Sequence, residues 1–285
     1  MAKLLGRRRT QILKVLTVTS VLFSMVAVSS QLSGATSPTV ANYTGTGVSN
    51  SQGITVGPDG ALWFTNDGTN SIGQITTAGV VSEFTGPGIS FPKGITTGPD
   101  GALWFTNQGS NSIGRITTAG VVSNYSASGI SSPEGITTGP DGALWFANEG
   151  SNSIGRITTA GVVSLYSEGN YLSGWNPEAI TVGPDGALWF TDVVSNQIGR
   201  ITTAGVVSLY GGAGISDPEG ITTGPDGALW FTNFYGNSIG QITTAGVVSN
   251  YTGTGIRSPA WITAAPGQGL WFTNYGDNSI GQVSP

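Results

Sequence analysis

The chain has 285 residues, of which 46 are Gly, 14 are Pro and 8 are Trp, and only 9% are charged, against about 25% in soluble domains. It contains no Cys and no His, which excludes disulfides, thiol nucleophiles and thiolate zinc sites and removes the commonest general base. This composition is typical of a turn-rich β protein, and 29.0 kDa is enough for one large domain with a buried core.

The first 35 residues have the pattern of a secretory signal peptide. Five of the ten basic residues lie within positions 1–14, and residues 15–28 are uncharged and mostly apolar, with small residues following at Ser29, Ser30 and Ala35. The apolar stretch is shorter than the about 20 residues of a membrane span. We therefore expect a cleaved leader over 1–35 and a secreted or extracytoplasmic protein, with an uncleaved membrane anchor as the alternative.

The rest of the chain is acidic, because it carries all fifteen Asp and Glu residues and only five basic ones. Phosphate binding needs a basic patch, so nucleic acid is not expected as a partner. Beyond the leader we expect no membrane association, and the mature protein is expected to be a monomer.

A repeat of about 41 residues organises everything after the leader. The string Gly-Pro-Asp-Gly-Ala-Leu-Trp-Phe begins at Gly57, Gly98, Gly139, Gly183 and Gly224, and a degraded copy begins at Ala265. Each of the first five copies predicts four short strands, which in the second copy cover residues 95–97, 102–107, 112–117 and 121–125. Four antiparallel strands per period of about 41 residues are typical of a β-propeller blade. We therefore predict an all-β, six-bladed propeller over residues 40–285.

The two ends of the chain are predicted to meet in the last blade. The sixth copy stops after its third strand, whereas residues 40–47 closely match residues 248–255, which contain the fourth strand of the fifth copy. An N-terminal strand is therefore expected to complete the last blade and leave no open sheet edge.

The blade sequence Gly-Ile-Thr-Thr-Gly-Pro-Asp-Gly-Ala-Leu-Trp-Phe-Thr-Asn, followed by Asn-Ser-Ile-Gly-Arg-Ile-Thr, closely resembles that of the streptogramin B lyases, also called virginiamycin B lyases. The resemblance covers essentially the whole mature chain. It implies a propeller, usually of seven blades, that opens the lactone of a cyclic depsipeptide antibiotic by elimination. It also implies catalysis by histidine, glutamate and a bound magnesium ion on one face.

This chain departs from that pattern in two respects, the absence of histidine and the count of six blades. No residue here can take the family's histidine roles, so no catalytic residue is assigned. We expect a ligand-binding or scaffold module without histidine-based catalysis. The alternative is a virginiamycin B lyase-like enzyme that opens a lactone by metal-assisted elimination, and a third possibility is a rigid structural disc.

The loops before the first strand and after the second strand of each blade differ most between copies, and binding residues are expected on variable loops of a rigid scaffold. Three consecutive copies place a glutamate before the first strand, and several aromatic residues lie on the same side. We predict a ligand site there that takes a small molecule, a glycan or a peptide. Its candidate residues are Glu134, Glu178, Glu219, Trp175, Trp261, Tyr171, Tyr235 and Tyr275.

The same acidic residues are candidates for binding a hard cation. Ligand sets that offer only oxygen favour Mg²⁺ or Ca²⁺, and Asp217 lies close to Glu219 in the sequence. A possible Mg²⁺ or Ca²⁺ site is therefore one hypothesis, and solvated loop carboxylates are the alternative. A structural role for the aromatic residues, as plugs of the channel, is also open.

Overall fold

The computed structural model describes residues 47–167, 174–265, 267 and 269–285. The leader and residues 40–46 of the predicted closing strand lie outside this part of the chain. Within it, no helix has the length and apolar character needed to cross a membrane.

The described chain folds into six antiparallel sheets that follow one another in sequence, which confirms the six-bladed all-β propeller. The first three blades contain β1 (Ser51–Val56), β2 (Leu62–Asn66), β3 (Ser71–Ile75), β4 (Val81–Thr85), β5 (Pro92–Thr97), β6 (Leu103–Asn107), β7 (Ser112–Ile116), β8 (Val122–Tyr125), β9 (Pro133–Thr138), β10 (Leu144–Asn148), β11 (Ser153–Ile157) and β12 (Val163–Tyr166). The last three contain β13 (Pro177–Val182), β14 (Leu188–Asp192), β15 (Gln197–Ile201), β16 (Val207–Gly211), β17 (Pro218–Thr223), β18 (Leu229–Asn233), β19 (Ser238–Ile242), β20 (Val248–Thr252), β21 (Pro259–Ala265), β22 (Gly269–Asn274) and β23 (Ser279–Val283). One 3₁₀ turn, Glu149–Ser151, follows β10.

The second strand of each blade forms the core because both of its faces are buried. In β6, Leu103 and Phe105 pack with Trp63 of the blade before, and Trp104 packs with Leu144 of the blade after. The alternation of side chains along a strand sends these residues to opposite faces. Apolar clusters of this kind join each blade to the next from the first to the sixth.

The innermost strand of each blade also contacts the innermost strand of the next, in the order β1, β5, β9, β13, β17 and β21. The first and last of these, β1 and β21, do not pack together in this way in the described chain. In a propeller the inner strands surround the central channel. Residues on these strands are therefore the ones that can line the channel and its mouth.

Candidate ligand site at the channel mouth

The predicted glutamates lie on bulges in the inner strands. In blade two, Pro92 pairs with Asn107 and Ile95 pairs with Phe105, so that two residues, Lys93 and Gly94, stand opposite the single residue Thr106. The register shifts at the same place in every blade. A bulge redirects the side chain that it carries. The bulge residues, in blade order, are Gln52, Lys93, Glu134, Glu178, Glu219 and Ala260.

This arrangement corrects one boundary of the sequence prediction. The first strand of blade two was expected from Ile95, but β5 begins at Pro92. Proline is accepted as the first residue of a strand, and the bulge interrupts the alternation of side chains on which the prediction depended. The glutamates thus lie within strands, where the backbone fixes their positions.

In blades one, two, four and five a threonine of the second strand joins the bulge of its own blade to the bulge of the next. The Oγ1 atom of Thr106 accepts a hydrogen bond of 2.9 Å from the backbone N–H of Gly94 and donates one of 2.6 Å to the carbonyl oxygen of Glu134. Thr191 does the same for Ala179 and Glu219. These positioning threonines were not predicted from the sequence, although five of the six copies carry threonine there.

Blade three is the exception, since Ala147 replaces the threonine. The carbonyl group of Glu178, in the following blade, therefore has no threonine hydroxyl to bind it. The bulges of Glu134 and Glu178 each keep one threonine bond, whereas the bulge of Glu219 has both.

Burial raises the pKa of all three glutamate carboxyl groups. The pKa of Glu134 rises from 4.5 to about 8, mainly through burial; Lys93 lowers it, and Glu178, Glu149 and Asp67 raise it. Because these charged neighbours come from blades one to four, the side chains around the ring influence one another.

Lys93 also lowers the pKa of Glu178, but there it is the smallest of the causes, and no cation lowers the pKa of Glu219. Burial, then Glu149 and Asp217, raise the pKa of Glu178 to about 7. Burial, then Glu178 and Asp217, raise the pKa of Glu219 to about 8. Near neutral pH these carboxyl groups are therefore partly or largely protonated.

The side chains that neighbour the glutamates change character around the ring. Lys93 Nζ lies 3.0 Å from Asp67 Oδ2, and Gln108 Nε2 donates to Glu134 Oε1. Neither the Glu178 nor the Glu219 carboxyl group has a hydrogen bond or ion pair with another described side chain. These two carboxyl groups are therefore the ones available to a ligand.

Aromatic residues of blades five and six form an exposed group on the same side of the molecule. Phe234 lies 5.3 Å from Tyr235 and 5.9 Å from Tyr275, measured between ring centroids. Tyr235 is 75% exposed, Tyr275 61% and Trp261 39%. We refer to Phe234, Tyr235 and Tyr275 as the aromatic rim; Trp261 lies on the inner strand β21 and makes no ring contact with any of these three in the described chain. Blade five joins the aromatic rim to the glutamates, because the backbone N–H of Phe234 donates to the carbonyl oxygen of Asp217, two residues before Glu219.

The structure places the two remaining aromatic candidates elsewhere. Trp175 is only 3% exposed and packs on Phe190, with ring centroids 5.5 Å apart. It belongs to the apolar cluster between blades three and four. The clusters at the two neighbouring blade junctions have an isoleucine in the corresponding place, Ile130 and Ile215. Trp175 therefore serves as a core anchor beneath its loop. Tyr171 lies outside the described residues.

The acidic residues do not match the ligand set of a metal ion. The described part of the chain contains no group of three or more acidic side chains arranged to hold a metal. The histidine that the family resemblance implies is missing from the whole sequence. The residues present therefore do not fit the magnesium centre implied by the resemblance.

Comparisons with known proteins agree with the blade sequence. No curated protein matches the chain, whereas the model of the virginiamycin B lyase family matches residues 44–285. Virginiamycin B lyase from Staphylococcus aureus is 39% identical, with a TM-score of 0.75 over 82% of this chain and 84% of that one. A catalytically inactive form of that lyase, solved with quinupristin, matches equally well. A streptogramin B lyase structure is 37% identical, with a TM-score of 0.75 over 83% of each chain. The chain therefore belongs to the virginiamycin B lyase family.

Proposed function

We propose that this protein binds a small molecule at the channel mouth and lacks the histidine-based catalysis implied by the family resemblance. The observation that carries the proposal is the position of two half-buried carboxyl groups, Glu178 and Glu219, without partners among the described side chains and on the same side as the aromatic rim. The ligand we expect has an amine or other hydrogen-bond donor for the carboxyl groups and an apolar or ring-shaped part for the rim. Glycans and peptides with such groups are also within this class.

Both the carboxyl groups and the aromatic rings are suited to binding such a ligand. A carboxyl group whose pKa is raised by burial regains the charged form when a cation approaches it, so an ammonium group would bind there and release protons. Aromatic rings present large apolar faces at a low cost in side-chain entropy and also attract cations. The rigid blades keep both parts in place before the ligand arrives.

The alternative function is a lyase that opens a lactone, and one observation favours it besides family membership. Elimination needs a base, and a carboxyl group with a pKa of about 7, as in Glu178, is well matched to proton abstraction near neutral pH. Catalysis by Glu178 would need no histidine. No metal-dependent step is proposed, because the acidic residues do not fit a metal centre.

The leader pattern supports an extracytoplasmic location for this binding function. A scaffold of this kind would meet ligands outside the cytoplasm, and we propose that it acts there as a secreted monomer. The size of the whole chain on gel filtration and its recovery from culture medium or membrane would test these two points.

Calorimetric titration of the protein with quinupristin tests binding, and chromatography of the same mixture tests turnover. We expect saturable binding with proton release at pH 6 and no opened lactone. Tyr235→Ala and Tyr275→Ala should each weaken binding by about 2-fold to 10-fold, because aromatic contacts contribute about 0.5–1.5 kcal/mol. Phe91→Ala is the matched control, since Phe91 is an exposed aromatic residue outside the rim.

Three results would change the proposal. Opened lactone that disappears in Glu178→Gln would establish the lyase alternative. Turnover only after addition of Mg²⁺ or Ca²⁺ would establish a metal-assisted reaction. Binding that is equally strong in the rim variants and in Phe91→Ala would place the ligand away from the aromatic rim.

A further inference from the structure

Blade four has a buried carboxyl group where the other five blades have an amide. Asp192 ends the second strand at the position that is asparagine in every other copy. Its side chain is fully buried, and its Oδ2 atom has no hydrogen-bond partner. None of the ion pairs among the described residues includes it. Buried carboxylates in proteins are paired, hydrogen-bonded or coordinated to a metal, and the described side chains supply no such partner for Oδ2.

The asparagines of the other blades show what surrounds this position. In each of them Nδ2 donates to the carbonyl oxygen of a glycine and to the hydroxyl of the serine that begins the third strand. In blade three, Asn148 Nδ2 lies 2.8 Å from the carbonyl oxygen of Gly129 and 2.8 Å from Ser153 Oγ, and it also donates to Ser151 Oγ. The amide nitrogen thus lies among three oxygen atoms.

Gly174 is the counterpart of Gly129 in blade four, as two hydrogen bonds show. The backbone N–H of Asn176, two residues after Gly174, donates a bond of 2.9 Å to Asp192 Oδ1, and the residue two positions after Gly129 makes the same bond to Asn148. In both blades a serine hydroxyl also donates to the carbonyl oxygen of the glycine. The carbonyl oxygen of Gly174 therefore belongs to the surroundings of Asp192.

Two further residues of blade four bring oxygen atoms to the same place. Ser195 Oγ donates to the carbonyl oxygen of Gly174 at 3.4 Å, and the Ser195 backbone N–H donates to Asp192 Oδ1 at 3.3 Å. Gln197 replaces the serine of the third strand and is the cross-strand partner of Asp192, so their side chains project from the same face of the sheet. Gln197 can offer a carbonyl oxygen where the other blades offer a hydroxyl.

An oxygen in place of the amide nitrogen reverses the chemistry of this position. The asparagine brings two N–H donors to the surrounding acceptors, whereas the carboxylate of Asp192 brings a negative charge and one more acceptor. Such oxygens repel one another unless a positive charge lies between them. Carboxylate, carbonyl and hydroxyl oxygens are the ligands that hard cations prefer. None of the channel-mouth glutamates takes part in this set.

We propose that blade four binds a hard metal cation, Na⁺ or Ca²⁺, between Oδ2 of Asp192 and the carbonyl oxygen of Gly174, with oxygens of Ser195 and Gln197 as further ligands. The cation joins the segment before β13 to β14 and β15, as the asparagine amide does in the other blades. That segment leads into β13, the strand that carries Glu178. The proposal does not depend on the proposed function.

Thermal unfolding of the whole chain in chelated buffer tests this site, with NaCl, CaCl₂ or tetramethylammonium chloride added at equal ionic strength. Tetramethylammonium cannot be coordinated by the oxygens and controls for the screening of charges by salt. At about ten times its Kd, a bound cation should raise Tm by about 3–6 °C. The salt that produces this rise identifies the cation.

Asp192→Asn is the test variant, because asparagine is the residue that this position has in the other five blades. It restores the N–H donors, so in chelated buffer its Tm should exceed that of the natural protein, and neither Na⁺ nor Ca²⁺ should raise it further. Asp277→Asn removes an exposed carboxyl group of blade six and should keep the full response. Gln197→Ala removes one proposed ligand and should raise the Kd several-fold in calorimetric titration with the same cation.

Three results would overturn the proposal. An equal rise of Tm in the natural protein and in Asp192→Asn would place the cation elsewhere. An equal response to all three salts would show that only screening is involved. A difference between the two proteins that changes with pH, without any response to Na⁺ or Ca²⁺, would show that Asp192 carries a proton and donates it to Gly174.

Discussion

The indole Nε1 of Trp104 donates a hydrogen bond of 2.9 Å to Oδ1 of Asp100. The same bond joins the aspartate of the Gly-Pro-Asp-Gly turn to the tryptophan four residues later in each of the first five blades. Asp100 also accepts hydrogen bonds from the backbone of Ala102 and from Arg115. These aspartates therefore support the turns and the core tryptophans.

Asp100→Ala should reduce the free energy of unfolding by about 1–3 kcal/mol, because it leaves a buried indole N–H without an acceptor. Tm should fall by about 2–4 °C for each kcal/mol in a domain of this size. Asp100→Asn is the control, since it keeps an oxygen acceptor for Trp104 and removes only the charge next to Arg115. If denaturant unfolding shows equal losses for both variants, the charge and not the indole bond is responsible.

Much of this fold could be predicted because each rule is repeated six times in the sequence. A glycine-rich turn, an apolar second strand and a fixed period together specify a blade. An asparagine precedes the third strand in every copy. In blade two this residue is Asn111, and its Oδ1 accepts a hydrogen bond of 2.8 Å from the backbone N–H of Ser132 in the next blade. Periodicity shows that such a residue is structural but cannot show which blade it contacts.

The candidate site was predictable only in part, because the sequence does not show which strands and blades its residues contact. Copy-to-copy variation located the glutamates, but the bulge that directs them depends on strand pairing, which a sequence does not show. Trp175 was expected among the ligand-binding residues because it lies in a variable loop. In the core it takes the place that an isoleucine has in the neighbouring blades. The loop before blade four has a different length, so a comparison of the copies by sequence does not match Trp175 with those isoleucines.

Gly114→Ala should be strongly destabilising. Gly114 pairs with Phe105 in the neighbouring strand, and a Cβ atom at Gly114 would lie 2.1 Å from Cζ of that ring. Overpacking of this kind costs about 1–3 kcal/mol. Gly86→Ala is the matched control, because a Cβ atom at Gly86 meets nothing within 4 Å. Thermal unfolding should separate the two variants, and similar Tm values would show that the ring can move aside.

Asp192→Asn should stabilise the protein. Five blades end the second strand with asparagine, but blade four has Asp192, which is fully buried with no hydrogen-bond partner for Oδ2. A buried polar or charged atom without a partner reduces stability by about 1–3 kcal/mol or more. Asparagine keeps the oxygen that accepts from the backbone of Asn176 and removes the charge. We expect Tm to rise by a few degrees, whereas Asp277→Asn at an exposed position should leave it unchanged. A lower Tm in Asp192→Asn would indicate that the carboxylate has a stabilising partner.

The three glutamates at the channel mouth should make the protein less stable as the pH rises towards 8. Their pKa values are about 8, 7 and 8 for Glu134, Glu178 and Glu219, against an ordinary value of 4.5. Between pH 5 and pH 8 the folded protein therefore binds more protons than the unfolded chain, so the free energy of unfolding decreases with pH in that window.

Differential scanning calorimetry between pH 5 and pH 8.5 measures this effect. The triple variant Glu134→Gln/Glu178→Gln/Glu219→Gln should have a Tm that depends much less on pH in this window, because it lacks the three carboxyl groups whose pKa values are raised to about 7 or 8. Glu83→Gln changes a carboxyl group on the outer strand β4 and should keep the slope of the natural protein. The turn aspartates act in the opposite direction and at lower pH. Burial raises the pKa of Asp100, but hydrogen bonds from Trp104 and Arg115 outweigh it and hold that pKa below its usual value, so its contribution is lost as the pH falls. A slope that persists in the triple variant would assign the pH dependence to groups away from the channel mouth.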